Sequence, residues 1–109
     1  MKRLDGKTCI VTGGASGIGK ATCLRLAEEG ARVAITDIDD NDGHSLREEI
    51  RATGRTAEYW HLDVTDETAV EQVFGEVADT LGGVDVLVNN AGISGADKPT
   101  DEITSEEWR

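Results

Sequence analysis

The stretch of residues 12–19, TGGASGIG, is the part of this sequence best suited to bind a negatively charged ligand. It is half glycine, and it lies between a short apolar run and a helix-forming run. A strand that turns through glycines into a helix leaves unpaired backbone N–H groups at the helix N-terminus, where the helix dipole also favours an anion. Bare glycines let the ligand approach and let the helix pack against the strand. We therefore expect a pyrophosphate site, in which a side chain at Gly19 would obstruct the phosphates.

A carboxylate, Asp37, directly follows the second apolar run, RVAIT. An acidic residue at this place can accept hydrogen bonds from both ribose hydroxyls of an adenosine. It would also repel a 2′-phosphate, since two like charges ~4 Å apart cost about 4 kcal/mol at an effective dielectric constant near 20. No arginine or lysine occupies the positions that could bind such a phosphate, which are Ala15, Ser16, Ile38 and Asp39. The alternative interpretation is that Asp37 caps a helix or is simply solvated, since three more aspartates follow closely.

Two further polar motifs follow the third and fourth apolar runs. The first is LDVTD, in which Asp63 and Val64 end the predicted third strand. A ligand that crosses the carboxyl ends of the strands would lie there, although Asp63 could instead cap the next helix. The second is NNAG, residues 89–92, whose Asn and Gly tolerate left-handed backbone and which by chemistry alone indicates only a turn.

The elements that must position these residues alternate regularly between strand and helix. Short β-branched runs predict four strands, at residues 7–12, 32–36, 56–62 and 84–88. Helix-forming runs predict three helices between them, at residues 17–29, at residues 39–53, and along the apolar stripe of residues 70–81 with Thr65 or Asp66 as its cap. A further helix is expected to begin near Thr104, and Trp108 is interpreted as a core anchor. Such alternation implies right-handed crossovers and a parallel sheet that is covered on both faces.

The glycines follow the pattern T-G-x-x-x-G-x-G rather than G-x-G-x-x-G. With Asp37, LDVTD and NNAG in this order, the sequence resembles the short-chain dehydrogenase/reductase family over essentially all 109 residues. The resemblance implies an α/β fold, the first half of a Rossmann-type doubly wound parallel sheet with strand order 3-2-1-4. It also implies NAD as the cofactor, because Asp37 stands where the family selects against NADP.

The resemblance further implies a set of cofactor-binding residues. In the family, the residue matching Asp63 binds the adenine amino group and the residue matching Val64 backs the ring, while residues matching 90–92 line the adenine-side ribose and the path toward the nicotinamide. The expected cofactor-binding residues are Gly13, Ser16, Gly17, Ile18, Gly19, Asp37, Ile38, Asp63, Val64, Asn90, Ala91 and Gly92.

The activity implied by the resemblance is hydride transfer between NAD and a secondary alcohol or ketone. In the family a Tyr moves the proton, a Lys four residues later lowers its pKa, and a Ser holds the substrate oxygen. The only tyrosine, Tyr59, is followed at that spacing by Asp63 and is interpreted as a packing residue. No catalytic residue can therefore be assigned. We expect this chain to be the N-terminal, cofactor-binding part of a longer single domain, inactive alone and prone to self-association through its fourth strand.

Two other functions remain open at this point: a non-catalytic dinucleotide-binding module, and an epimerase or dehydratase of similar fold. The net charge of −11 argues against nucleic acid and anionic membranes as partners. No apolar run approaches the ~18 residues of a spanning helix, and no signal peptide is evident, so a cytoplasmic location is expected. No metal site is expected, since the two cysteines and two histidines are isolated. A small-molecule substrate and a homodimer or homotetramer are expected by resemblance only.

Overall fold

The computed structural model describes residues 4–90, which form a parallel sheet with helices on both faces. The elements, in chain order, are β1 (Thr8–Thr12), α1 (Gly17–Glu28), β2 (Arg32–Asp37), α2 (Asp40–Arg51), β3 (Ala57–His61), α3 (Glu67–Leu81) and β4 (Val86–Asn89). The strands lie in the order β3-β2-β1-β4, and every neighbouring pair is parallel. The predicted fold class and strand order are confirmed.

Each face of the sheet has its own apolar core, because successive side chains of a strand point to opposite faces. On one face α1 and α2 cover a cluster of buried residues: Cys9, Val11, Cys23, Ala27, Ala31, Val33, Ile35, Leu46, Ile50 and Ala57. On the other face α3 covers a second cluster: Ile10, Ala34, Leu62, Val73, Val77, Leu81 and Leu87. The expected burial of the sheet on both faces is confirmed, and the two cores fix the carboxyl ends of the strands.

Element boundaries differ from the predicted ones by one or two residues where polar side chains intervene. Strand β4 begins at Val86 rather than at Val84, because the carboxylate of Asp85 accepts a hydrogen bond from the N–H of Thr8 and starts the pairing with β1. Strand β3 ends at His61, so Asp63 lies beyond the strand rather than at its end. Asp66, one of the two expected caps, is the N-cap of α3.

Within residues 4–90 there is no helix of the length and apolarity that a membrane span requires. The helix expected near Thr104 and the expected anchor Trp108 lie outside the described residues, as do Ala91 and Gly92.

Candidate functional site

The register of the sheet brings the ends of its strands to one edge. Thr12, the last residue of β1, is paired with Thr36 on one side and with Asn89 on the other. Asp37, the last residue of β2, is paired with His61 at the end of β3. The segments that follow these strands therefore meet at the carboxyl edge, where an open parallel sheet binds its ligands.

The loop between β1 and α1 depends on its glycines for its conformation. Gly13 and Gly17 have φ angles of 62° and 58°, in the left-handed region that other residues seldom adopt. Gly14 is buried, and a β-carbon there would lie 3.1 Å from the sulfur of Cys23. The loop thus packs closely against α1.

The structure gives a reason for the glycine at position 19 that was not expected from the sequence. A β-carbon at this position would lie 2.0 Å from the carbonyl oxygen of Gly13 and 2.8 Å from Nδ2 of Asn90. A side chain at Gly19 would therefore displace the loop itself, and the expected obstruction of the phosphates stays a prediction. Gly19 is required because the helix and the loop approach each other too closely for any side chain.

The N-terminus of α1 is not capped by a side chain. Its N-cap residue, Ser16, makes no side-chain hydrogen bond to the helix, and the first turn contains no acidic residue. By contrast, Asp39 caps α2 by accepting from the N–H of Asp42, and Asp66 caps α3 in the same way from Ala69. The first N–H groups of α1 therefore have no side-chain cap and no acidic residue within the first turn of the helix.

The carboxylate of Asp37 lies against this glycine loop. Its Oδ2 accepts a hydrogen bond of 3.0 Å from the N–H of Ala15, and its Oδ1 accepts bonds of 2.7 and 3.0 Å from the N–H groups of Ile38 and Asp39. Because Asp39 and not Asp37 is the N-cap of α2, the helix-capping interpretation of Asp37 is wrong. Asp37 is half-buried, and it connects the end of β2 to the start of α1.

Two large apolar side chains at this edge of the sheet are exposed to solvent. Ile18 in the first turn of α1 is 77% exposed, and Ile38, next to Asp37, is 64% exposed. Ser16 and Gly17 are also exposed, whereas Gly13 is half-buried and Gly19 is buried. Apolar side chains held in solvent beside unpaired donors suit a ligand that has both an anionic part and a flat apolar part.

Asp63 also lies at this edge, but its carboxylate is hydrogen-bonded to Thr65, two residues further along the chain. Its Oδ1 accepts hydrogen bonds from the hydroxyl and the N–H of Thr65, at 2.7 and 2.9 Å. These bonds, the hydroxyl first, lower the pKa of Asp63 below its ordinary value. The alternative that Asp63 caps α3 is wrong, since Asp66 is the cap. Val64 is half-buried and lines a small apolar pocket of about 130 Å³ with Phe74.

Asn90 supports the glycine loop from the other side. Its N–H donates to the hydroxyl of Thr12 at 2.9 Å, and its side-chain Nδ2 donates to the carbonyl of Gly13 at 3.2 Å. Asn90 therefore ties the end of β4 to the turn that follows β1. Ala91 and Gly92, also predicted for the site, lie outside the described residues.

A cluster of polar side chains behind Asp37 was not predicted from the sequence. The hydroxyl of Tyr59 lies 2.8 Å from the carbonyl oxygen of Asp37 and 2.6 Å from Oδ1 of Asp40, which also contacts Nδ1 of His61 at 2.8 Å. These bonds, that of Tyr59 first, lower the pKa of Asp40. The pKa of Tyr59 is raised by its burial and then by Asp40. The alternation of Tyr59 and His61 on β3 could have indicated that they share a face.

The two cysteines are buried in the core that α1 covers. Burial, and then the charge of Asp85, raises the pKa of Cys9 to about 11. Burial likewise raises the pKa of Cys23 to about 12. Both thiols therefore remain protonated at neutral pH, and they act here as small apolar groups.

Comparison with known proteins places this geometry in a family. Residues 7–109 match the family model described as short chain dehydrogenase. The chain is 43% identical over 98 residues to the secoisolariciresinol dehydrogenase of Forsythia intermedia, a match that covers 90% of this chain and 35% of that protein. A crystal structure of a short chain dehydrogenase from Mycobacterium smegmatis aligns with a TM-score of 0.81 and 36% identity, over 99% of this chain and 45% of that one.

A second solved structure is that of an NAD⁺-bound xylitol dehydrogenase, with a TM-score of 0.81 and 40% identity over 93% of this chain and 41% of that one. The chain spans 34–43% of the length of the curated relatives it matches. Fold, strand order and family match agree, and the relatives named here are dehydrogenases. The chain therefore belongs to the short-chain dehydrogenase/reductase family of oxidoreductases.

Proposed function

We propose that the protein is an NAD-dependent oxidoreductase that interconverts a secondary alcohol and a ketone, and that this chain supplies the cofactor-binding half. When bound, NAD accepts or supplies the hydride. The observation that carries the proposal is the position of Asp37, whose carboxylate is 3.0 Å from the N–H of Ala15 in the glycine loop. A selective carboxylate thus lies directly beside an uncapped helix N-terminus.

The glycine loop fits the pyrophosphate of such a cofactor. The start of α1 lacks both a side-chain cap and an acidic residue in its first turn, so its N–H groups are available to phosphate oxygens. Gly19 and Gly13 pack so closely that no side chain covers these donors. We infer that Gly13, Ser16, Gly17, Ile18 and Gly19 bind the pyrophosphate and its neighbouring ribose.

Asp37 fits the adenosine ribose of NAD better than that of NADP. A carboxylate accepts hydrogen bonds from two ribose hydroxyls, whereas a 2′-phosphate would be repelled by it. The cleft that continues from Ala15 between α1 and α2 is lined by two further acidic residues, Asp42 and Glu49. Its one cation is Lys20, which lies 3.8 Å from Glu49, so it offers a phosphate little net attraction.

We assign Ile38, Asp63 and Val64 to the adenine side of the proposed site. The exposed side chain of Ile38 offers an apolar surface for the base, beside the carboxylate of Asp37. We infer that Asp63 binds the adenine amino group and that Val64 backs the ring. Asn90 supports the loop, and Ala91 and Gly92 are proposed to continue the path toward the nicotinamide.

We assign no catalytic residue to this chain. A tyrosine that takes a proton from an alcohol at neutral pH needs a lowered pKa, since the pKa of a free phenol is about 10. The pKa of Tyr59 is instead raised, and its hydroxyl is engaged with Asp37 and Asp40. Tyr59 is therefore unsuited to the role, and we propose that proton transfer depends on residues outside this chain.

The experiment that tests this function changes the selectivity of the site. In the full-length protein, Asp37→Ser combined with Ile38→Arg removes the repelling charge and adds a partner for a 2′-phosphate. We expect the ratio of kcat/KM for NAD to that for NADP to fall by about a hundredfold or more, which corresponds to part of the charge–charge energy at this distance.

The control makes the same change of charge at the opposite edge of the sheet, with Asp79→Ser and Thr80→Arg, both exposed near the C-terminus of α3. This variant should leave the ratio unchanged. If the ratio stays constant in the Asp37 variant as well, then Asp37 does not select the cofactor and the assignment to NAD is wrong.

Three features of the wider protein remain proposals. We infer a small-molecule alcohol or ketone as substrate, a cytoplasmic location, and a homodimer or homotetramer. Gel filtration of the full-length protein with light scattering tests the last of these directly.

A further inference from the structure

The peptide unit that joins Asp37 to Ile38 is held at both ends. Its carbonyl oxygen, that of Asp37, accepts hydrogen bonds from the N–H of Leu62 at 2.9 Å and from the hydroxyl of Tyr59 at 2.8 Å. Its N–H, that of Ile38, donates to Oδ1 of Asp37 at 2.7 Å. Because a peptide unit is planar, the bonds that orient its carbonyl also orient its N–H. The direction of the Asp37 carboxylate therefore depends on contacts that its side chain does not itself make.

Contacts on several sides fix the position of the Tyr59 side chain. Its ring packs against the core cluster under α1 and α2, and the ring of His44 meets it edge-on with a centroid distance of 4.9 Å. Gly43 in α2 makes room for the ring, since a β-carbon there would lie 2.1 Å from its Cε1 atom. The hydroxyl is held at 2.6 Å by Asp40, which also contacts His61. The ring is thus placed so that its hydroxyl reaches the last carbonyl of β2.

We propose that Tyr59 is a positioning residue for cofactor selection, which orients the Asp37–Ile38 peptide unit so that the carboxylate of Asp37 faces the ribose. The proposal rests on the proposed function, in which Asp37 is the residue that selects NAD. Tyr59 acts through Asp37 and touches neither cofactor nor substrate. Asp40, which itself contacts His61, holds the hydroxyl of Tyr59 in place from the exposed side.

Replacement of Tyr59 by phenylalanine in the full-length protein removes the hydroxyl and keeps the ring. We expect KM for NAD to rise about 3- to 10-fold, the effect of one hydrogen bond, with kcat unchanged. The preference for NAD over NADP should fall by a similar factor. Gly43→Ala displaces the same ring from the side of α2 and should shift the preference in the same direction, which keeps the proposal testable if one variant folds poorly.

A double-mutant cycle separates positioning from a general loss of stability. If Tyr59 acts only through Asp37, then Tyr59→Phe should change the cofactor preference of the wild type but not that of Asp37→Ser. The matched control is Trp60→Phe, which removes a hydrogen bond to Glu76 on the opposite face of the same strand. It should leave the preference unchanged.

The results for the three variants distinguish failure of the positioning role from failure of the proposed function. An unchanged preference in Tyr59→Phe, or an equal change in the Asp37→Ser background, would overturn the positioning role. An Asp37→Ser variant with the wild-type preference would instead overturn the proposed function, whatever Tyr59→Phe does. A change in Trp60→Phe as large as that in Tyr59→Phe would also overturn the proposal, because the effect would then be one of strand stability.

Discussion

The starts of α1 and α2 lie at the same edge of the sheet, yet only α2 has a side chain that caps its first backbone N–H groups. Helix α2 begins with Asp39 bonded to the N–H of Asp42, and two aspartates lie in its first turn. Helix α1 begins with Ser16, which makes no side-chain cap, and has no acid in its first turn. The start of α3, capped by Asp66, follows the pattern of α2.

The difference distinguishes two helix starts that a protein carboxylate caps from one that has no such cap. All three helix dipoles favour negative charge at this edge, and an aspartate cap supplies it from within the protein. The first turn of α1 contains no acidic residue, and the carboxylate of Asp37 bonds instead to the N–H of Ala15, just before the helix. We propose that the backbone at the start of α1 binds phosphate and that Asp37 binds ribose.

The largest effect is expected from a change to the backbone at the start of α1. Gly19→Val would drive a branched side chain into the carbonyl of Gly13, which a β-carbon would already approach to 2.0 Å. We expect the loop to be displaced and the affinity for NADH to fall at least about a hundredfold, because several N–H donors are lost together. Isothermal titration of the full-length protein measures this directly.

The matched control is Gly75→Ala in α3, where a β-carbon would meet nothing within 4 Å. It should leave the affinity unchanged and stabilise the helix by up to about 1 kcal/mol. Wild-type affinity for NADH in a Gly19→Val protein with a native circular dichroism spectrum would refute the role of the loop.

A milder change makes the start of α1 resemble that of α2. Ser16→Asp adds the cap that α1 lacks, so its carboxylate competes with a phosphate for the same donors and repels it. We expect the affinity for NADH to fall on the order of tenfold to a hundredfold while the melting temperature holds or rises. Fluorescence titration together with thermal unfolding checks both effects.

Removal of a cap elsewhere provides the opposite comparison. Asp66→Ala at the start of α3 should lower the free energy of unfolding by about 1 kcal/mol and leave the affinity for NADH unchanged. If Ser16→Asp binds NADH as tightly as the wild type, the uncapped start of α1 is not the phosphate site.

The fold could be predicted from the sequence because its strong signals are local. The apolar runs that became β1 and β2, and the stripe of α3 from Val70 to Leu81, follow the periods of strand and helix closely. The glycines of the loop and the position of Asp37 after β2 were sufficient to expect the site at the carboxyl edge. These features depend on spacing along the chain, which the sequence displays directly.

Other features required the three-dimensional arrangement. The hydrogen bond from Tyr59 to the carbonyl of Asp37 joins residues that are adjacent only once β2 and β3 are paired. The constraint on Gly19 arises from Gly13 and Asn90, and Asn90 follows the last described strand. Whether Asp63 or Asp66 caps α3 depends on turn geometry, since both stand at suitable positions in the sequence.

The measurement that tests the account most directly is a crystal structure of the full-length protein with NAD bound. We predict that pyrophosphate oxygens lie within hydrogen-bond distance of the N–H groups at the start of α1. Both hydroxyls of the adenosine ribose should donate to the carboxylate of Asp37. A nucleotide bound elsewhere, with those N–H groups facing solvent or protein, would contradict it.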